Sequence, residues 1–278
     1  MGLKTLNIQG RLLNLESPKV MAILNVTDDS FYSGSRLVEE QQVLDLAAFH
    51  IENGASILDI GGYSSRPGAK DISLNEELDR VIPIVELLNK TFATSILSVD
   101  TFRAEVADQA LRAGAHMIND ISSGDDDYNM MAVIAKHQVP YILMHKQGKP
   151  QNMHLNPQYK NVSQEVLQYL VRKTNECRKL GIKDIVWDVG IGFGKTIQHN
   201  YELLNELAIF TQFDEPVLIG LSRKSLIWKT LHLTPEEALN GTTALHMHAL
   251  VKGVKILRVH DVKEAVECII LFENFTRA

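Results

Sequence analysis

Ser56-Ile-Leu-Asp-Ile60 is a short, mostly apolar run, and Gly61-Gly62 stops it at once. A run of this length with no clean apolar/polar alternation reads as a strand buried on both faces. Further on, Leu74, Leu78, Val81, Ile82 and Val85 recur at helical spacing, so a helix follows after a loop over 62–73. Pro83 lies inside that stripe and predicts a kink or a late start.

The same strand–loop–helix rhythm runs through the chain. Strand-like runs occupy 20–26, 56–60, 95–99, 115–118, 139–144, 184–187, 216–219 and 254–259. Helical stripes lie between them, among them Val43, Leu46, Ala47 and Ile51, and Val162, Val166, Tyr169, Leu170, Cys177 and Leu180. Val262, Ala265, Val266, Ile269 and Ile270 mark the last. Doubly buried strands that alternate with helices pair in parallel. Eight of them predict an α/β protein of the closed (β/α)8 TIM-barrel type. A doubly wound sheet needs fewer strands and a switch point, and ranks second. Residues 3–15 alternate on either side of Gly10-Arg11, so the segment 1–16 reads as an N-terminal β-hairpin capping the barrel bottom. With no low-complexity tract and no proline-rich linker, 1–278 is expected to form one domain.

Composition narrows the class. The 278 residues carry 34 acidic against 28 basic side chains, a net charge of −6, and 45% are hydrophobic. That supports a large core and argues against non-specific nucleic-acid binding, which needs a basic face. No uncharged apolar run approaches the ~18 residues that span a bilayer, and the N-terminus lacks a signal pattern. A cytoplasmic protein with no membrane partner is therefore expected. The two cysteines, Cys177 and Cys268, read as packing residues in a reducing compartment.

In such a barrel the chemistry sits at the C-terminal strand ends. Those ends carry Asn25; Gly61-Gly62 with Ser65 and Arg66; Asp100; Asn119-Asp120; His145; Asp188; Ser222-Arg223-Lys224; and Arg258 with His260. Any one polar end has a dull explanation, but eight converging on one mouth point to a site. Arg258 and His260, two apart on an extended segment, would join Arg66, Lys224, Ser65 and Ser222 in a cationic patch suited to phosphate or diphosphate. Asp100, Asn119 and Asp188 would read the amidine-like edge of a flat amino-heterocycle. Singly, Asp100 could equally cap a helix, Asn119 make a turn and Asp188 pair with Lys224.

Gly190-Ile-Gly-Phe-Gly-Lys-Thr196 is one residue short of a P-loop and lacks dinucleotide-binding spacing. Its glycines would let the backbone approach a ligand, with Phe193 and Lys195 lining or shielding the pocket. His246 and His248 are two apart in a helical stretch without a third ligand, so one packed and one solvated histidine is expected rather than a metal pair. The loops 27–37 and 62–73 are long enough to act as lids.

On these residues the sequence resembles the dihydropteroate synthase family. The matching segments are Ile23-Leu-Asn-Val-Thr27 with Asp29-Ser-Phe31, Asp59-Ile-Gly-Gly62 with Ser65-Arg-Pro-Gly-Ala69, and Ser98-Val-Asp-Thr101. Ile118-Asn-Asp-Ile121, Leu143-Met-His145 with Gln147-Gly148, Gly190 to Lys195, Ser222-Arg-Lys-Ser225 and Arg258-Val-His-Asp-Val262 continue the match in order. The resemblance implies condensation of 6-hydroxymethyl-7,8-dihydropterin diphosphate with 4-aminobenzoate, a folate-synthesis step where sulfonamides compete. It also implies Mg²⁺ and a homodimer. Carried over by position, Asp100, Asn119, Asp188 and Lys224 would hold the pterin. Asn25 would meet the metal-bound diphosphate, helped by Arg66, Arg258 and His260. Phe193, Ser222 and Lys224 would border the aminobenzoate, and Ser65 and Arg66 would order the second loop. Four positions depart from the family pattern: Asp28 stands where Pro is usual, Tyr63 for Glu, Ser65 for Thr and Val189 for Pro. A pterin-binding paralogue without catalysis and a methyltetrahydrofolate-binding methyltransferase domain are the competing readings.

Overall fold

The computed structural model describes residues 5–26, 36–64, 71–148, 153 and 155–277. Two short strands, β1 (Thr5–Ile8) and β2 (Arg11–Asn14), pair antiparallel. Eight more then close on themselves: β3 (Lys19–Asn25), β4 (Ile57–Gly61), β5 (Ile96–Asp100), β6 (Met117–Asp120), β7 (Tyr141–Met144), β8 (Ile185–Asp188), β9 (Val217–Gly220) and β10 (Ile256–Val259). They form a closed parallel barrel in which β10 pairs with both β9 and β3. The eight-stranded TIM barrel expected from the strand rhythm is the fold.

Each connection between barrel strands carries at least one helix, and a last helix follows β10. These are α1 (Arg36–Glu52), α2 (Leu74–Thr91), α3 (Ala104–Ala113), α4 (Met130–His137), α5 (Val162–Lys179), α6 (Ile197–Asn205), α7 (Leu207–Phe210), α8 (Ser225–Leu231), α9 (Leu239–Val251) and α10 (Val262–Arg277). Helix α2 starts on time, capped by Ser73 Oγ accepting from Glu76 N at 3.2 Å, and continues through Pro83. The late start allowed by Pro83 does not occur. Cys177 and Cys268 are buried free thiols on α5 and α10.

The hairpin turn is Gln9-Gly10, one residue before the Gly10-Arg11 expected, with φ of +50° and +93°. Two consecutive positive φ angles give the twist that a two-residue hairpin needs. Leu6, Ile8, Leu13 and Leu15 pack on Met21, Ile57, Ile96, Met117, Ile142, Val186, Leu218 and Ile256, one residue from every barrel strand. The hairpin is therefore the barrel's floor. Asn7 N donates to Asp184 Oδ1 at 3.0 Å and Arg11 to the Thr94 carbonyl at 2.6 Å, fixing its seat.

Side chains alternate along a strand, so the residues two places above the floor face inward again. That next layer includes Asp59, Ser98, Asn119, Asp188 and Arg258. The barrel interior thus changes from wholly apolar to strongly polar within one layer. Replacing Leu6, fully buried in the floor, by Ala removes packing from all around it. A loss of about 2–5 kcal/mol in urea unfolding is expected; a loss below about 1 kcal/mol would mean that the hairpin does not plug the barrel.

Candidate active site

Three connected groups of side chains occupy the mouth, and the first is built on Asp59. Asp59 lies mid-strand in β4 and is fully buried. Its Oδ2 accepts from Asn119 Nδ2 at 2.9 Å and from Arg258 Nε at 2.6 Å. Arg258 Nη2 also donates to Asp100 Oδ2 at 2.6 Å. Two carboxylates therefore share one guanidinium. Asp59 Oδ1, and Ser98 Oγ on the directly paired strand residue, are buried without a hydrogen-bond partner among the described residues.

This arrangement sets the charge states. Burial raises the Asp100 carboxyl to about 7, against the pull of Arg258 and with the push of the Asp59 charge. Burial disfavours the Arg258 cation too, but Asp59 and Asp100 more than offset it and hold it charged. Because the folded chain binds the Asp100 proton more tightly than the unfolded chain does, Asp100 costs stability as pH rises from 3.8 towards about 7.

The second group is Asp188, Lys224 and Phe193. Asp188 Oδ1 accepts from Gly190 N at 2.8 Å. Burial raises its pKa, with Lys224 opposing. Burial lowers the Lys224 ammonium to about 8, with Asp188 opposing and Arg258 adding to the fall. Lys224 Nζ donates to the Ile191 carbonyl and stands 4.8 Å from the centroid of the Phe193 ring. Asp188 is thus the counter-charge of Lys224, yet it sits 7% exposed at the mouth, where it remains available to a ligand. The third group is at the rim: Ser222 Oγ lies 3.0 Å from His260 Nδ1 and accepts from His260 N at 3.2 Å. Asn25 ends β3 with its Oδ1 against Gly61, 3.5 Å from where a Cβ there would sit, and that same Cβ would lie 3.7 Å from Asp100 Cβ.

Asn25, Asp100, Asn119, Asp188, Phe193, Ser222, Lys224, Arg258 and His260 all belong to this mouth, whereas Ser65 and Arg66 lie outside the described residues, as do Asp28, most of the first long loop and half of the second. Several expectations need correction. Arg258 and His260 do not form one exposed cationic patch, because Arg258 is sunk among carboxylates while His260 stays at the rim. Arg223 turns away to a bidentate pair with Asp261 and to the carbonyls of Pro235 and Glu236. Asp120 faces away from Asn119, accepting from Tyr141 Oη and from Ser122 and Gly124 behind the barrel. Two glycines of the 190–194 loop approach protein backbone: a Cβ at Gly190 would lie 1.9 Å from the His145 carbonyl oxygen and one at Gly194 2.2 Å from that of Gln147. Lys195 is 5% exposed and bonds inside its own loop, so it does not line the pocket. His246 is buried as expected, and His248 is partly exposed with its Nε2 3.0 Å from the Leu204 carbonyl.

Chains of known activity match this geometry. Residues 21–260 match the model of the pterin binding enzyme family. The dihydropteroate synthase of Haemophilus influenzae is 44% identical over 254 residues, covering 91% of this chain and 92% of that one. The Escherichia coli K12 enzyme of the same name is 43% identical over 267 residues, or 95% and 94%. The chain belongs to the dihydropteroate synthase family. Among solved members, the Yersinia pestis enzyme in complex with a sulfonamide drug superposes with a TM-score of 0.91 at 40% identity, covering 98% of this chain and 99% of that one. The Xanthomonas albilineans enzyme with 4-aminobenzoic acid gives 0.91 at 38% identity, covering 99% of each chain.

One residue central to this family member's mouth was given no role from the sequence. Asp59 opens the Asp59-Ile-Gly-Gly62 match, but it falls inside a run read as core, and nothing local marks its carboxylate as facing the mouth. In Asp59→Asn the like charge beside Asp100 is gone and Arg258 is left to Asp100. The Asp100 carboxyl, followed by carbon-13 NMR, should titrate well below about 7; an unchanged or higher value would break the shared-guanidinium account.

Proposed function

We propose that this chain, as one pterin-binding barrel domain over 1–278, joins 6-hydroxymethyl-7,8-dihydropterin diphosphate to 4-aminobenzoate, giving 7,8-dihydropteroate and diphosphate on the route to folate. The observation that carries the reading is the polar inner layer itself. Asp100, Asn119 and Asp188 converge from three strands above an apolar floor, beside a guanidinium and an ammonium. Carboxylates and a carboxamide match the alternating donors and acceptors of an aminopyrimidinone edge. Burial makes each such bond count for more than in water.

Chemically, the bond between the pterin methylene carbon and the diphosphate bridging oxygen breaks. The aminobenzoate nitrogen bonds to that carbon and loses a proton, and diphosphate leaves with the electron pair. No protein nucleophile is needed, and the two cysteines are buried away from the mouth. Positive charge that develops on the pterin as the bond breaks would meet Asp100 and Asp59, which Arg258 holds in place. Lys224 and Phe193 would clamp the pterin on one side and the aminobenzoate ring on the other. At the rim, Ser222 and His260 would take the departing diphosphate, with Arg258 Nη1, which has no partner among the described residues, reaching it from below. Ser65 and Arg66 would act from the second loop.

Mg²⁺ fits this donor set. Among the described residues no group of three His, Cys, Asp or Glu side chains could hold a metal. Magnesium needs only one or two protein oxygens when diphosphate and water supply the rest, and the Asn25 amide oxygen would be one. Bound there, it would neutralise leaving-group charge. The two buried free cysteines suit a reducing compartment such as the cytoplasm, and no helix of the described residues is long and apolar enough to cross a membrane. Ile270, Leu271 and Phe275 expose an apolar face on α10, which supports a homodimer; light scattering should report twice 31.2 kDa, and a monomer mass would refute it.

The direct assay is diphosphate release from purified protein given Mg²⁺, the pterin diphosphate and 4-aminobenzoate. Release is expected; binding of the pterin without release would make the chain a non-catalytic paralogue instead. Asp188→Ala should cripple pterin binding. His260→Ala should lower kcat more than it raises the KM for 4-aminobenzoate, and unchanged turnover would remove His260 from the diphosphate site.

A further inference from the structure

The loop that carries Phe193 has little stiffness of its own. Gly190, Gly192 and Gly194 all sit at positive φ, and a segment so rich in glycine loses much conformational entropy when it is ordered. Something must hold it. Lys195 Nζ donates to the carbonyls of Gly190 at 2.9 Å and Phe193 at 3.1 Å, which closes the loop on itself. It also donates to the His145 carbonyl at 3.1 Å and lies 3.1 Å from His145 Nδ1, which ties the loop to the strand end of β7. Tyr159 Oη adds a bond of 2.8 Å to the Gly194 carbonyl from the same side.

Among the described residues Lys195 forms no salt bridge, and it is almost wholly buried. Burial lowers its amine to about 7, with the Asp188 charge opposing, and an amine buried among carbonyl and imidazole partners is a costly way to close a loop, since an apolar side chain would avoid the desolvation. Its partners suggest why it is there. Burial, and then the Lys195 charge, lower His145 to about 2, so the imidazole stays neutral beside Nζ, whose donors are matched by the three carbonyls. Of the carbonyls held, one is that of Phe193 itself, whose ring supports the Lys224 ammonium at 4.8 Å. Lys224 in turn grips the neighbouring Ile191 carbonyl. Lys195 thus holds the Gly190 and Phe193 carbonyls, and Lys224 holds the Ile191 carbonyl between them while standing over the Phe193 ring.

We propose that Lys195 is a positioning residue for the amine substrate: by holding the Phe193 carbonyl and anchoring it to His145, it fixes the aromatic wall against which 4-aminobenzoate lies. This rests on the reading that Phe193 borders that substrate, and it assigns Lys195 no contact with either reactant. A small displacement of a substrate-positioning wall is enough to change affinity or rate considerably.

The test compares Lys195→Met, Tyr159→Phe and Phe193→Ala in steady-state kinetics with both substrates, alongside thermal unfolding. Lys195→Met should raise the KM for 4-aminobenzoate about tenfold, roughly the worth of one or two hydrogen bonds, with the KM for the pterin diphosphate changed by less than about twofold. Tyr159→Phe, which loses a single bond to the same loop, should shift the same constant in the same direction by less, and carries the test if Lys195→Met does not fold. A merely structural role would lower kcat through a smaller folded fraction, or raise both KM values together, and either pattern overturns the proposal. If Phe193→Ala raises the aminobenzoate KM and neither other variant does, the positioning role falls while the pocket assignment stands. If Phe193→Ala leaves that KM unchanged, the pocket assignment itself fails and the proposal falls with it.

Discussion

One guanidinium makes the rest of this mouth possible. The barrel buries two carboxylates from adjacent strands, Asp59 on β4 and Asp100 on β5, and Arg258 on β10 reaches both. Taking a carboxylate out of water costs several kcal/mol even after relaxation, so two close together would not stay ionised without a cation between them. The partner comes from 199 positions further along the chain than Asp59. Only closure of the barrel brings β10 round to β3, one strand from β4. Fold and charge balance therefore depend on each other: closure supplies the cation, and the cation lets the polar layer exist inside the closed barrel.

That layer has a division of labour by depth. The hairpin and eight apolar side chains seal the bottom, so no water path is needed from below. Above them, Asn119 and the paired carboxylates form a fixed hydrogen-bonding surface. Asp188 and Lys224 face each other under weaker constraint, each with its charge opposed by burial and supported by the other. At the rim, His260 is open to water and is tied to the buried Ser222 beneath it. A ligand that is a flat polar ring at one end and an anion at the other fits this gradient from buried, preorganised donors and acceptors to exposed ones.

How much of this was legible in the sequence follows from what each signal measures. All eight barrel strands were found, but four were ended one residue early and one two residues early. Apolarity stops at the first polar residue, while backbone ladders continue through Asp100, Asp120 and Asp188. The strand-end rule located Asn25, Asp100, Asp188, Lys224 and His260 because local order alone puts them at the mouth. It also picked up Asp120, Arg223 and His145, which serve the scaffold, since a polar residue at a strand end does not reveal which way it turns. Asp59 was missed for the opposite reason: it sits one residue before the end of an apolar run, and only the barrel's period of two and a partner far along the chain give it meaning. Lys195 was misplaced because glycine spacing says that backbones come close without saying to what. Here they meet the neighbouring loop, where a Cβ at Gly194 would stand 2.2 Å from the Gln147 carbonyl.

The central claim is that the polar layer around Asp59, Asp100 and Arg258 is a ready-made receptor for a pterin ring. A crystal structure with 7,8-dihydropterin lacking the diphosphate would test it without help from metal or anion binding. The ring is predicted to lie flat above the apolar floor, its amino-pyrimidinone edge hydrogen-bonded to Asp100, Asn119 and Asp188, with the backbone of the barrel strands unmoved. A ring bound elsewhere on the barrel, or a mouth in which Arg258 must leave both carboxylates to admit it, would contradict the account.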